Sequence, residues 1–303
     1  MPLKTIKKDT ADAQTLEWVL QVQTYKLALD KNRCVGCQIC SLACPKEAIK
    51  IQKEPKKQGE KTKKAKIDID LAKCNFCGIC DLTCPYGAMK FTLNGNHFLS
   101  VVEKKSFPQL VRGIQTNPKK YTPNKTRSEK PCPLNLITIT ASSSDTQSVD
   151  SGSVVKIEVD KDHCPCCKVC EVTLPEGVMQ VRKFINGKIT INADKCPEGC
   201  TDCLDVCPIT GALFLSDDGR KVQANEAFCV YCGACKAVCP VAEALELKRT
   251  LIRHTPVRSG AWNKALERLT SPVEMTKELK TKSSLKARES VKKRVGLKEE
   301  QHA

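Results

Sequence analysis

The run Cys229-Val-Tyr-Cys232-Gly-Ala-Cys235-Lys-Ala-Val-Cys239-Pro240 constrains this chain more than any other stretch. Three cysteines two residues apart must share one tight loop. The fourth, followed by proline, is carried out of that loop into extended backbone. Three such thiolates can hold three corners of a 4Fe–4S cube, and the fourth ligates a neighbouring cube. Zinc is the main competitor, but its sites favour two separated cysteine pairs. The run recurs in full three more times, at Cys34, Cys37, Cys40, Cys44; at Cys74, Cys77, Cys80, Cys84; and at Cys196, Cys200, Cys203, Cys207. In the last of these the first gap is three residues, Pro197-Glu198-Gly199, and the glycine allows the extra turn.

Each run sits in a half-module that reads as strand, ligand loop, short helix and strand. Alternating apolar residues precede the loop, as in Lys66-Ile-Asp-Ile-Asp70, and follow the Cys-Pro, as in Ala48-Ile-Lys-Ile51. Crossing the fourth cysteines between paired halves assigns four quartets. The first is Cys34, Cys37, Cys40 and Cys84; the second is Cys74, Cys77, Cys80 and Cys44. What we number the fourth is Cys196, Cys200, Cys203 and Cys239, and the fifth is Cys229, Cys232, Cys235 and Cys207.

Between them the pattern is damaged in a complementary way. Cys164, Cys167 and Cys170 keep their spacing, but the exported position is Leu174-Pro175. Upstream, Cys132-Pro133 stands alone, with Thr122, Lys125 and Ser128 where three cysteines would fall. One half has lost the ligands of its own cluster, and its partner has lost the fourth ligand of that same cluster. The remaining, third quartet is Cys132, Cys164, Cys167 and Cys170. Five 4Fe–4S clusters then use twenty of the twenty-one cysteines and leave Cys166 as a free thiol or a substitute ligand.

Composition agrees. Aromatic residues are 4% of the 303, too few to fill several ordinary cores, so metal has to help hold the fold. The formal charge of +16 invites a nucleic-acid reading. Each ligated cube brings about −2, and five bring the total to roughly +6, so much of the basic excess is counter-charge. Little aromatic–basic interleaving supports nucleic-acid binding. With no apolar leader behind Met1 and no long apolar run, the expected location is a reducing cytoplasm, without a membrane span. Phe76, Tyr86 and Tyr231 beside the loops read as packing that keeps water from the clusters, and the four histidines show no ligand spacing.

The fold expected is α+β: three tandem ferredoxin-like two-cluster units, the middle one degenerate, plus a C-terminal helical tail. Residues 1–24 form an N-terminal arm with a helix from Ala11 to Gln23. The units span 25–95, 96–182 (one cluster) and 183–249. Lys53 to Lys66, with seven lysines, reads as a solvated loop, and residues 141–153 as a flexible one. Residues 250–303 form a basic tail, with a helix from a capped start at Ser271 to about Val295. Leu251, Val257, Trp262, Leu266 and Leu269 have little core to join, which suggests a docking arm.

The stretches Asp194-Lys-Cys-Pro-Glu-Gly-Cys-Thr-Asp-Cys203, His163-Cys-Pro-Cys-Cys-Lys-Val-Cys170 and Arg253-His-Thr-Pro-Val-Arg-Ser-Gly-Ala-Trp262 resemble the polyferredoxin subunit of formylmethanofuran dehydrogenase from methanogenic archaea. The resemblance covers the second half well and the first half as generic ferredoxin repeats. It implies an electron wire between a redox partner and the tungsten or molybdenum subunit that reduces CO2 onto methanofuran, with no catalytic residues of its own. The upstream donor would be of ferredoxin, hydrogenase or heterodisulfide reductase type. Members of that family usually carry eight motifs, and this chain has fewer. An electron-transfer subunit of a hydrogenase or heterodisulfide reductase complex is the alternative.

Overall fold

The structure, a computed structural model, describes residues 4–56, 60–121, 130–142, 154–217, 219 and 221–270. It opens on a hairpin, β1 (Lys4–Asp9) and β2 (Ala13–Val19), where a helix over Ala11 to Gln23 was expected. Apolar residues at 16, 19 and 20 suit a helix, yet Gln14, Leu16 and Trp18 share one face of a strand equally well. Leu16 is fully buried and Trp18 lies against Phe76, ring centroids 4.6 Å apart. The hairpin forms the outer half of a four-stranded sheet ordered β1-β2-β3-β6, completed by β3 (Thr24–Asp30) and β6 (Met89–Leu93). The described part of the arm is therefore built into the first sheet. Buried Gln14 fastens it there, donating to Asp68 Oδ1 (3.0 Å) and accepting from the Ile69 amide (3.0 Å).

The strands around the cysteine loops pair in one recurring way, all antiparallel. The leading strand of one half joins the trailing strand of the other, so β3 pairs with β6 and β4 (Ile49–Gln52) with β5 (Lys66–Ile69). Further on, β7 (Gly113–Thr116) pairs with β10 (Met179–Arg182), and β8 (Ile137–Ser142) with β9 (Val154–Val159). Last, β11 (Ile185–Ile191) pairs with β14 (Leu245–Ile252), and β12 (Leu213–Leu215) with β13 (Val222–Ala224). β7 stands in the leading position of the half without ligand cysteines, so the strand pairing recurs there as well. Thr122, Lys125 and Ser128 lie outside the described residues.

Short helices follow the loops: α1 (Ile39–Ala43) and α2 (Ile79–Thr83), then, after the linking α3 (Ser100–Glu103), α4 (Val169–Thr173), α5 (Asp202–Asp205) and α6 (Ala234–Val238). None is long enough to persist in isolation. Packing of Ile39, Ile79 and Val238 against the sheets holds them, in a mixed α and β architecture.

Two expectations about exposed segments are corrected. The lysine-rich insertion docks on α5: Lys56 Nζ is 2.7 Å from Asp202 Oδ1, Thr62 Oγ1 donates to the same oxygen (2.6 Å), and the Thr62 amide donates to Asp205 (2.9 Å). Its Ala65 is buried against Gly36, where a β-carbon would meet the Ala65 carbonyl at 2.4 Å. Beyond β14, α7 (Gly260–Leu269) is capped by Ser259 Oγ, which accepts from the Ala261 and Trp262 amides. Trp262 is wholly buried, edge-on to Phe107 at 5.1 Å, and Val257, Leu266 and Leu269 are buried with it. This helix packs on α1, and Arg268 donates to the Cys44 carbonyl (3.3 Å) and pairs with Glu47 (2.9 Å). These side chains complete the chain's own core rather than a docking arm; of the five expected there, only Leu251 is exposed. The helix expected after Ser271 lies outside the described residues. Among those described, no helix is long and apolar enough to cross a membrane.

Candidate metal centres

In all five cysteine loops the residue just before the second cysteine is left-handed: Gly36, Phe76, Cys166, Gly199 and Tyr231, with φ between 53° and 69°. That turn folds the loop back on itself. Phe76, Cys166 and Tyr231 hold it at a cost of about 1–3 kcal/mol each, tolerated because each is almost fully buried. Cys166 thus occupies the slot that an aromatic or glycine fills elsewhere.

The third cysteine then enters the short helix, and at Cys44 and Cys84 the fourth ends it in extended backbone (φ −69°, ψ 117° at Cys44), as a following proline requires. Leu174 takes the same extended shape without a thiol (φ −90°, ψ 160°).

Three small cavities lie among these loops. One is lined by Cys34, Cys37, Cys40 and Cys84, one by Cys132, Cys164, Cys167 and Cys170, and one by Cys207, Cys229, Cys232 and Cys235. In each, the fourth cysteine comes from a loop far away in sequence. Cys166 lines none of them. The other two groupings show in the electrostatics: Cys44 acts on Cys74, Cys77 and Cys80, and Cys239 acts on Cys196 and Cys203. Among the described residues no group of His, Cys, Asp or Glu is gathered tightly enough to hold a single metal ion. The thiols surround spaces instead, as a polynuclear cluster needs.

The chemistry of the donors fits such a cluster. Burial pushes Cys74, Cys203 and Cys229 up to about 11 and Cys170 and Cys207 up to about 12, with neighbouring thiolates adding to the effect. Bare thiols this crowded resist ionising, and iron would displace their protons. Cys164 is the exception, lowered to about 7 because the Cys166 thiol donates to it. Amides already point at several sulfurs: Ala88 to Cys84 (3.2 Å), Ala48 to Cys44 (3.4 Å) and Tyr231 to Cys229 (3.4 Å).

Basic side chains stand where quartets meet, and sequence reasoning missed them. Buried Arg249 donates through Nε to the Tyr231 carbonyl and through Nη2 to the Cys232 carbonyl, both at 2.8 Å. Burial lowers its pKa, opposed by the thiolates of Cys37, Cys232, Cys235 and Cys229. Arg112 spans two quartets, donating to the carbonyls of Cys164 (3.0 Å) and Cys84 (3.1 Å). Lys183 donates to the Cys229 carbonyl (2.8 Å) and feels Cys167. A buried guanidinium without a carboxylate needs an anion nearby, and clusters of charge −2 would supply it. Arg249 did carry a signal: it interrupts the apolar face of Leu245 and Leu247.

Spatial order differs from chain order. Cys37 of the first quartet acts directly on Cys232 of the fifth. Cys40 and Cys80 join the first quartet to the second, and Cys203 and Cys235 the fourth to the fifth.

Comparison with known proteins fixes the class. Residues 33–88 and residues 188–240 each match a family described as a 4Fe-4S dicluster domain. The chain thus carries two 4Fe–4S dicluster domains and is, more particularly, a polyferredoxin-like 4Fe–4S protein. It is 33% identical over 97 residues to the polyferredoxin-like subunit of aliphatic sulfonate oxidoreductase from Pyrococcus furiosus, a match covering 28% of this chain and 53% of that one. The chain therefore spans about half the length of this relative. Its fold is similar to a chain of the formate dehydrogenase–heterodisulfide reductase–formylmethanofuran dehydrogenase complex from Methanospirillum hungatei. There the TM-score is 0.75 at 26% identity, over 89% of this chain and 92% of the other.

Proposed function

We propose that this chain is a conduit for single electrons, built of three ferredoxin-like units that carry five 4Fe–4S clusters, in a complex with formylmethanofuran dehydrogenase. The observation that carries this reading is the five cysteine quartets, each drawn from two separate loops and each adjoining another quartet, the third through Arg112. The six sheet pairs support the threefold division, at 25–95, 96–182 and 183–249, with the middle unit reduced to one site.

A bound 4Fe–4S cluster takes up and releases one electron at a time. The chain's own residues do the rest. The twenty cysteines hold, the left-handed turns aim, and Phe76, Tyr86 and Tyr231 exclude water. Arg249, Arg112 and Lys183 offset negative charge at the junctions. The similarity to a chain of the Methanospirillum complex and the motifs around Cys164, Cys196 and Trp262 favour the formylmethanofuran dehydrogenase subunits as acceptors, with a heterodisulfide reductase, hydrogenase or ferredoxin upstream.

Native mass spectrometry of the complex, purified without oxygen, tests both parts. The chain should carry about twenty iron and twenty sulfide and co-purify with the formylmethanofuran dehydrogenase subunits. About twenty-four iron would mean a sixth cluster with other ligands, and about sixteen an empty middle unit. Co-purification with a different oxidoreductase would replace the partner and leave the conduit standing.

A further inference from the structure

Tyr86 is 4% exposed, and its hydroxyl has no hydrogen-bond partner among the described residues. A buried hydroxyl without an acceptor is destabilising and rare. This one sits at the meeting of two cysteine cavities: Tyr86 lines the cavity of Cys34, Cys37, Cys40 and Cys84 and also that of Cys207, Cys229, Cys232 and Cys235. Cys232 lines the second of these cavities together with Tyr86, and its sulfur acts on the phenol.

Packing alone does not call for a phenol here. The position is the one just after the Cys-Pro, and its counterparts are Lys46, Leu134, Ile209 and Val241. Ile209 is as well buried as Tyr86 without any polar atom. The repeat is satisfied by an aliphatic side chain, so the hydroxyl answers to something else.

Resting on the five-cluster reading, we infer that Tyr86 is a positioning residue whose Oη donates a hydrogen bond to the Cys232 sulfur of the fifth cluster and raises that cluster's reduction potential. It does so at the wall shared with the first cluster. A donor on a ligand sulfur favours the more negative, reduced form. The hydroxyl, orphaned among bare thiols, gains its acceptor when iron makes Cys232 a thiolate.

The test is a redox titration followed by electron paramagnetic resonance on the whole, cluster-loaded protein. Tyr86→Phe keeps the ring, and 3,5-difluorotyrosine at position 86 keeps the shape while strengthening the donor. Phenylalanine should make one cluster about tenfold harder to reduce, a fall of about 59 mV for one electron. Difluorotyrosine should move the same midpoint upward, with the other four unchanged. If phenylalanine costs the protein a cluster, the fluorinated protein still decides the matter by that upward shift. All five midpoints unmoved in the fluorinated protein would overturn the hydrogen bond while leaving the conduit intact. Unmodified protein holding far fewer than twenty iron would overturn both.

Discussion

Replacing Cys132 by serine separates a local reading of the middle loop from the crossed one. Locally, Cys164, Cys166, Cys167 and Cys170 supply four thiols within seven residues, and Cys132 lies far upstream. In the structure, however, the cavity is lined by Cys132 with Cys164, Cys167 and Cys170, and its walls are Ile114, Leu136, Ile137, Val159, Met179 and Val181 from two sheets. Cys166 does not line it and is fully buried, its thiol 3.9 Å from the Cys164 carbonyl. Cys132→Ser should remove about one iron in twenty, leaving a 3Fe form, or about four in twenty if the cluster is lost. In the second case the two sheets lose what ties them, and the middle region loosens first. Cys166→Ser exchanges one weak donor for another in a filled slot, so iron stays the same and stability changes by about 1 kcal/mol. Leu174→Cys should add no iron, because Thr122, Lys125 and Ser128 cannot supply three thiolates. The assay is iron and sulfide content together with the paramagnetic signal of a 3Fe form. A silent Cys132→Ser with iron loss in Cys166→Ser would refute the crossed arrangement.

Other perturbations probe the rest of the structure. Removing residues 271–303 should leave the cluster spectrum intact, whereas removing 260–303 should bleach the cluster on Cys74, Cys77, Cys80 and Cys44, since α7 covers α1 and Arg268 holds the Cys44 carbonyl. Equal spectra from the two truncations would count against α7 as core; Trp262→Ala, at about 3–5 kcal/mol, gives the graded version by denaturant titration. Asp202→Asn should free the lysine-rich insertion from α5 and speed its cleavage by trypsin under native conditions; an unchanged rate would mean that Thr62 alone holds it. Arg249→Met should lower the midpoints of the first and fifth clusters together, and unchanged midpoints in a fully loaded protein would remove its role as counter-charge.

Ligand spacing was legible because coordination imposes a strict local rule: a turn of fixed size, a one-turn helix and a proline that turns the fourth cysteine out. The strands around the loops followed from their alternation. The N-terminal hairpin did not, since a short segment such as Leu16-Glu17-Trp18-Val19-Leu20 satisfies helical and strand periods together, and only pairing with β3 decides. Nor did the insertion, whose Lys56 and Thr62 meet Asp202, and Thr62 also Asp205, some 140 residues away. Trp262 resembled an exposed anchor because its partners, Phe107 and His254, carry no mark of pairing in the sequence. Arg249, Arg112 and Tyr86 acquire meaning only where separate quartets adjoin.

That no quartet closes on its own loop also bears on how the protein is made. When Cys44 leaves the ribosome, the loop it serves lies some thirty residues further on, at Cys74. At about 5–20 residues per second this thiol waits for roughly two to six seconds. Cys132 waits similarly for Cys164, and Cys207 for Cys229. Every cube thus requires a half-built site to be kept reduced on the nascent chain until its second half appears. The helix that seals the Cys44 end, α7, emerges only after every cysteine of the quartets. Oxygen should therefore harm this protein most during synthesis, before any electron has been carried.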